Sequence, residues 1–86
     1  MHTVELLDQA LSVAKQAGYK IRQEWLGESR GGACVIKGQK WLFLDPTQSP
    51  RDQLEEVLEA LREDEAARQA ASGGEMEHLL EKRHAA

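Results

Sequence analysis

The stretch Gly31 to Pro46, GGACVIKGQKWLFLDP, restricts the fold more than any other part of the chain. Two runs of β-branched, aromatic and aliphatic residues flank a short polar break, the pattern of a β-hairpin. Glycine at the first position of a two-residue loop, Gly38-Gln39, points to a type II′ turn, where that residue takes φ > 0. This turn sets Ile36 against Trp41, Val35 against Leu42 and Cys34 against Phe43. Side chains alternate between faces. One face therefore carries Cys34, Ile36, Trp41 and Phe43, and the other Ala33, Val35, Leu42 and Leu44. Both faces are apolar, whereas a small antiparallel sheet ordinarily leaves one polar face to water. Something beyond two helices has to cover the second face: the C-terminal tail, another copy of the chain or a ligand.

The flanks read as helices and one further strand. Leu6, Leu7, Ala10, Leu11, Val13, Ala14 and Ala17 recur at helical spacing, so a helix is expected over 4–17, with Thr3 as its cap and Gly18 as its stop. Tyr19 to Trp25 alternates, with Tyr19, Ile21 and Trp25 on one side and Lys20, Arg22 and Glu24 on the other, as in a half-buried strand. Ser49-Pro50-Arg51-Asp52 is a helix start, with a serine cap and proline in the first helical position. Leu54, Val57, Leu58 and Leu61 give that helix its buried stripe, which thins to alanines near Ala71. Ser72 and Glu75 have capping-box spacing before a short amphipathic helix carrying Met76, Leu79 and Leu80. The bare face of the hairpin is its expected dock, because so short a helix is marginal alone.

These elements give an α+β fold in the order α-β-β-β-α with a short C-terminal tail helix. Short connections favour an antiparallel meander with both long helices on one face. The expected organisation is one domain over 1–71 and a Gly-linked tail over 72–86. With 86 residues and an apolar fraction of 41%, the core is real but small.

Charge narrows the partners. The formal net charge is −4, which disfavours non-specific binding to nucleic acid or anionic membranes. Residues 1–45 hold six Lys/Arg and five Asp/Glu, and residues 46–86 hold five and ten, so the acid is C-terminal. One cysteine excludes an intrachain disulfide and fits a reducing compartment. No apolar run approaches the roughly 18 residues of a membrane span. The N-terminal residues lack the basic region and apolar core of a signal peptide. A cytoplasmic location is the resulting expectation.

No constellation of catalytic residues is readable. Cys34 lacks a neighbouring base in the sequence pattern and reads as a small buried packing residue. His2, His78 and His84 are all terminal, and no three ligands converge, so no metal or cofactor is expected. Asp45, before Pro46, reads as a turn residue rather than a catalytic acid. Gly31-Gly32 runs from a loop into a strand, whereas a phosphate cradle runs from a strand into a helix, so the glycines read as backbone geometry. The acidic run of Glu55, Glu56, Glu59, Glu63, Asp64 and Glu65 reads as a solvated helix face. Tyr19, Trp25, Trp41 and Phe43 read as core aromatics before a base-stacking platform.

Three resemblances follow from these residues. The element order is similar to that of the double-stranded RNA-binding domain, which reads RNA partly through basic residues at the start of its second helix. The matching segment here, Pro50-Arg51-Asp52-Gln53-Leu54-Glu55-Glu56, is acidic. The stretch from Gly32 to Leu61 also looks like small zinc peptidases with a hairpin before a His-Glu-x-x-His helix, but this helix has no histidine and catalysis is not implied. Residues 18–62 most resemble short uncharacterised bacterial proteins with a Gly-Gly-x-Cys hairpin followed by a Leu-rich helix, a likeness that implies a fold and no activity.

The leading expectation is a small non-enzymatic interaction domain that self-associates as a dimer, or binds another protein, through Cys34, Ile36, Trp41 and Phe43. The alternative is RNA binding through Lys20, Arg22, Arg30, Lys37 and Lys40.

Overall fold

The computed structural model describes residues 3–24 and 32–81. Within them the order is α1 (Thr3–Gln16), β1 (Tyr19–Gln23), β2 (Gly32–Ile36), β3 (Gln39–Leu44), α2 (Pro50–Arg62), α3 (Glu65–Ala70) and α4 (Glu75–Glu81). Trp25 and Arg30 lie outside the described residues, as do His2 and His84.

Local chemistry sets most boundaries as the sequence implies. Gly18 ends α1 at a φ of 100°, a conformation costly for any residue with a Cβ. Ser49 caps α2, its hydroxyl accepting the Asp52 N–H at 3.1 Å, and Pro50 opens the helix where its missing N–H does no harm. Asp45 makes the expected turn, its carboxylate accepting from the Thr47 N–H at 2.9 Å and the Thr47 hydroxyl at 2.6 Å.

The sheet differs from an antiparallel meander. It is mixed, with strand order β1-β3-β2: β1 runs parallel to β3, and β2 antiparallel to it. The physical reason is the apolarity of β3. Trp41-Leu42-Phe43-Leu44 is the strand with most to bury, and the central position gives it ladder partners on both sides. Its Leu42 and Leu44 are wholly buried. Eight residues separate Gln23 from Gly32, and these strand ends are only about 10 Å apart, two strand spacings, at the same end of the sheet. The topological likeness to the double-stranded RNA-binding domain, which implied a meander, therefore does not hold for the sheet.

The hairpin register is also corrected. The two-residue loop is Lys37-Gly38 rather than Gly38-Gln39, and Ile36 pairs with Gln39, Val35 with Lys40, and Cys34 with Trp41. Lys37 has φ 52° and Gly38 φ 80°, so both loop residues have positive φ, the geometry of a type I′ turn. Moving the loop by one residue shifts each partner by two, so both faces keep the residues the alternation assigns to them.

α1 and α2 cover the face bearing Leu42 and Leu44. Leu7, Ala10, Val13 and Ala14 of α1, Leu54, Val57, Leu58 and Leu61 of α2, and Tyr19 of β1 complete that core. The acidic helix is shorter than its alanine-rich continuation implies. It ends at Arg62, and Asp64 caps the separate helix α3 by accepting the Ala67 N–H at 3.1 Å.

The described part of the tail does not dock on the sheet. α3 and α4 pack against α1 and α2, burying Ala67, Met76 and Leu80. Arg62 donates to the Leu79 carbonyl at 3.0 Å and holds α4 there. α4 begins two residues later than a Ser72 cap implies, and the Gly73 N–H donates to Glu77 Oε1 at 2.8 Å.

Candidate interaction surface

With all four helices on one side, no described element covers the other face of the sheet. The register lays out its residues in rows. Lys20 of β1, Trp41 of β3 and Cys34 of β2 form one row, and Arg22, Phe43 and Gly32 the next. Trp41 and Phe43 are stacked, with ring centroids 6.0 Å apart and planes 15° from parallel. The Lys20 ammonium sits 5.7 Å from the Trp41 centroid, a cation–π arrangement. The Arg22 guanidinium is 3.4 Å from the Glu24 carboxylate, with both side chains about half exposed. Such an exposed pair adds little stability.

β2 is the barest part of the molecule. Cys34 is exposed, a correction to its reading as a packing residue. The reason is topological: it lies on an edge strand, on the face that no helix covers. Ile36 is 46% exposed on the same face. Val35 points to the helical side, yet it is 65% exposed because the helices do not extend over that edge. Gly32, at φ 137°, needs to be glycine for its backbone, and a Cβ there would meet nothing within 4 Å.

The sequence-predicted residues therefore divide. Cys34, Ile36, Trp41 and Phe43 are brought together on one face, as the alternation implies. Lys20 and Arg22 join them, and Lys37 sits in the turn. Lys40 is on the helical side and engaged: its ammonium donates to Asp64 at 2.8 Å and lies 4.8 Å from the Tyr19 ring centroid.

Two features were not singled out from the sequence. The first is a polar cluster inside the helical side. Asp64 accepts from the Tyr19 hydroxyl at 2.9 Å, from Lys40 and from the Ala67 N–H, so one carboxylate ties β1, β3 and α3 together. Burial alone would raise the carboxyl pKa, but the hydrogen bonds from Lys40, Tyr19 and Ala67 and the Lys40 charge outweigh it, and the group titrates below its ordinary value. The Tyr19 hydroxyl is pushed up to about 12 by burial and by the bond and charge of Asp64. Aspartate just past a helix end, three residues before Ala67, is the sequence signal that could have revealed the cap.

The second is an open groove of about 460 Å³ between β2 and α2, lined by Gly32, Ala33, Glu56, Glu59, Ala60 and Glu63. Glu56 Oε1 is buried with no hydrogen-bond partner among the described residues. The acidic run is thus partly turned toward the β2 edge rather than wholly solvated.

His78 is exposed, and no cluster of three metal-ligating side chains exists among the described residues. No described helix is long and apolar enough to cross a membrane. Comparison with family models, with curated proteins and with solved structures found no match, so the surface has to be interpreted from its own geometry.

Proposed function

We propose that this chain is a small protein-interaction domain that self-associates through the bare part of its sheet, Cys34 and Ile36 on β2 with Trp41 and Phe43 on β3. One observation carries this reading. The described part of the tail is committed to α1 and α2 through Met76, Leu80 and Arg62, and among the described residues no element lies over Cys34 and Ile36, which are exposed, or Trp41 and Phe43, which are half-buried. Contiguous exposed apolar residues on so small a chain mark a contact surface. Sedimentation velocity over a range of concentrations tests it. A monomer–dimer equilibrium is the expected result, and a monomer at every concentration overturns it.

A second reading has its own observation. Lys20 lies over Trp41 and Arg22 stands in the row of Phe43, so cations flank a stacked aromatic pair. Single-stranded nucleic-acid binders combine stacking aromatics with positive charge in this way. The net charge of −4 weighs against it. A mobility shift with single-stranded RNA at low ionic strength, lost on adding salt and in Lys20→Glu, would establish this reading. No shift at low salt would remove it.

A further inference from the structure

We infer that two copies of this chain join edge to edge through β2, in an antiparallel pair centred on Cys34, to form one continuous six-stranded sheet. This rests on the self-association reading above but places the contact at the β2 edge, with Cys34 and Ile36 at the joint and Trp41 and Phe43 one strand away from it. The backbone supplies the first argument. In a hairpin closed by a two-residue turn, the residues flanking the turn form a hydrogen-bonded pair, and such pairs alternate along the ladder. Ile36↔Gln39, Cys34↔Trp41 and Gly32↔Phe43 are therefore the hydrogen-bonded pairs. Ala33 and Val35 then direct their N–H and C=O groups away from β3, to an edge that pairs with nothing among the described residues.

A two-fold axis through Cys34 gives the fullest overlap of a strand running Gly32–Ile36. It sets Ala33 against Val35 of the second copy and Val35 against its Ala33. All four residues have outward groups, so this register makes four backbone hydrogen bonds with none left over. Registers centred on a neighbouring residue lose overlap at one end.

The sheet's two edges differ in a way that favours β2. β1 carries Lys20 and Arg22, with Glu24 just past its end, the kind of charges that block strand addition. β2 has no charged residue, no proline and five exposed or half-exposed residues.

Charge complementarity supplies the third argument. Ile36 of one copy stands opposite Gly32 of the other, so Lys37, the next residue, lies beside the partner's groove of Glu56, Glu59 and Glu63. The two acid-lined grooves come to the same side of the joined sheet. The two lysines, on flexible stems, offset that repulsion.

The central pair makes the geometry testable. Cys34 and its symmetry mate form a non-hydrogen-bonded antiparallel pair, with Cα atoms about 4.5 Å apart, inside the range a disulfide bridges. The full-length chain is first sedimented in reducing buffer, then treated with copper-phenanthroline, which accepts the two electrons lost as two thiols become one disulfide. Rapid disulfide dimer formation is expected for the wild type. Little is expected for Cys34→Ser/Ile36→Cys at a concentration where sedimentation shows that variant to be dimeric, because its new thiols lie about 14 Å apart in this register. Val35→Pro removes an outward N–H without touching the β3 ladder. It is expected to keep its circular dichroism spectrum and weaken the dimer about tenfold or more. Lys37→Glu is expected to weaken it as well. A sedimenting dimer that does not cross-link at Cys34, or cross-links equally at position 36, overturns the edge pairing and leaves self-association standing. A monomer at every concentration overturns both.

Discussion

Leu42 and Trp41 are neighbours on β3 but belong to two different surfaces. Leu42 and Leu44 have no exposed area and sit beneath α1 and α2. Trp41 and Phe43 stack on the far side, where no described element reaches them. Along β3 the two faces are about equally apolar, while β1 turns Tyr19 and Ile21 to the helices and Lys20 and Arg22 to the far side. The decisive quantity is the number of helices and where they go. All four pack on the Leu42 side, the last two on top of the first two rather than around the sheet. One face is therefore used for stability, and the other keeps apolar area available for contact.

The sharpest way to break this contrast is at the covered face. Leu42→Ala, or Leu61→Ala in α2, is expected to lower stability by about 2–5 kcal/mol in urea unfolding, because each removes wholly buried methyl groups. A loss below about 1 kcal/mol at Leu42 would mean that the two faces are not different in kind.

The next effect is at the polar cluster that braces the covered side. Asp64→Ala removes the cap of α3 and strips Tyr19 and Lys40 of their common acceptor. A cost of about 1–3 kcal/mol is expected, measured by thermal or urea unfolding. Asp64→Asn isolates the charge. Because the folded-state pKa of Asp64 is lowered, its stabilisation is present at neutral pH and is lost as pH falls below about 4. The wild type should therefore lose stability on the acid side more steeply than Asp64→Asn, and parallel curves would contradict this assignment. Tyr19 has the opposite sign. Its pKa is raised to about 12, so its contribution holds up to about pH 10 and is lost between there and pH 12. Tyr19→Phe should flatten that alkaline limb.

The smallest effects on folding belong to the bare side. Ile36→Thr and Cys34→Ser are expected to shift monomer stability by no more than about 0.5 kcal/mol, as for ordinary surface substitutions. Their effect should appear in sedimentation instead. If Ile36→Thr destabilised the dilute monomer by several kcal/mol, the face would be covered after all.

Most of this surface could be read in the sequence because alternation along a strand is local. Cys34, Ile36, Trp41 and Phe43 share a face in either hairpin register, since partners shift in steps of two. Lys20 and Arg22 fall beside them for the same reason, although their alignment with Trp41 and Phe43 depends on the parallel pairing of β1 with β3. Lys40 shows the limit of the local pattern. It reads as a solvent-facing tip residue, yet it is drawn to Asp64, 24 positions away. The Glu56–Glu59–Glu63 wall of the groove was visible as charge but not as a place, because only the packing of α2 beside β2 turns it toward the edge.

The type of each principal element, the cap and proline that start α2, the glycine that stops α1, and the division of the hairpin into two apolar faces all follow from the order of residues along the chain. All of these depend on a few adjacent residues and on backbone sterics. Folding in three dimensions was needed to put β3 between β1 and β2, Cys34 on an exposed edge, Asp64 between two strands and a helix, and α4 on the helices instead of the sheet. Those outcomes depend on competition between distant segments for the same buried area. That competition was won by the strand with most to bury and by helices that fit together on one side of it.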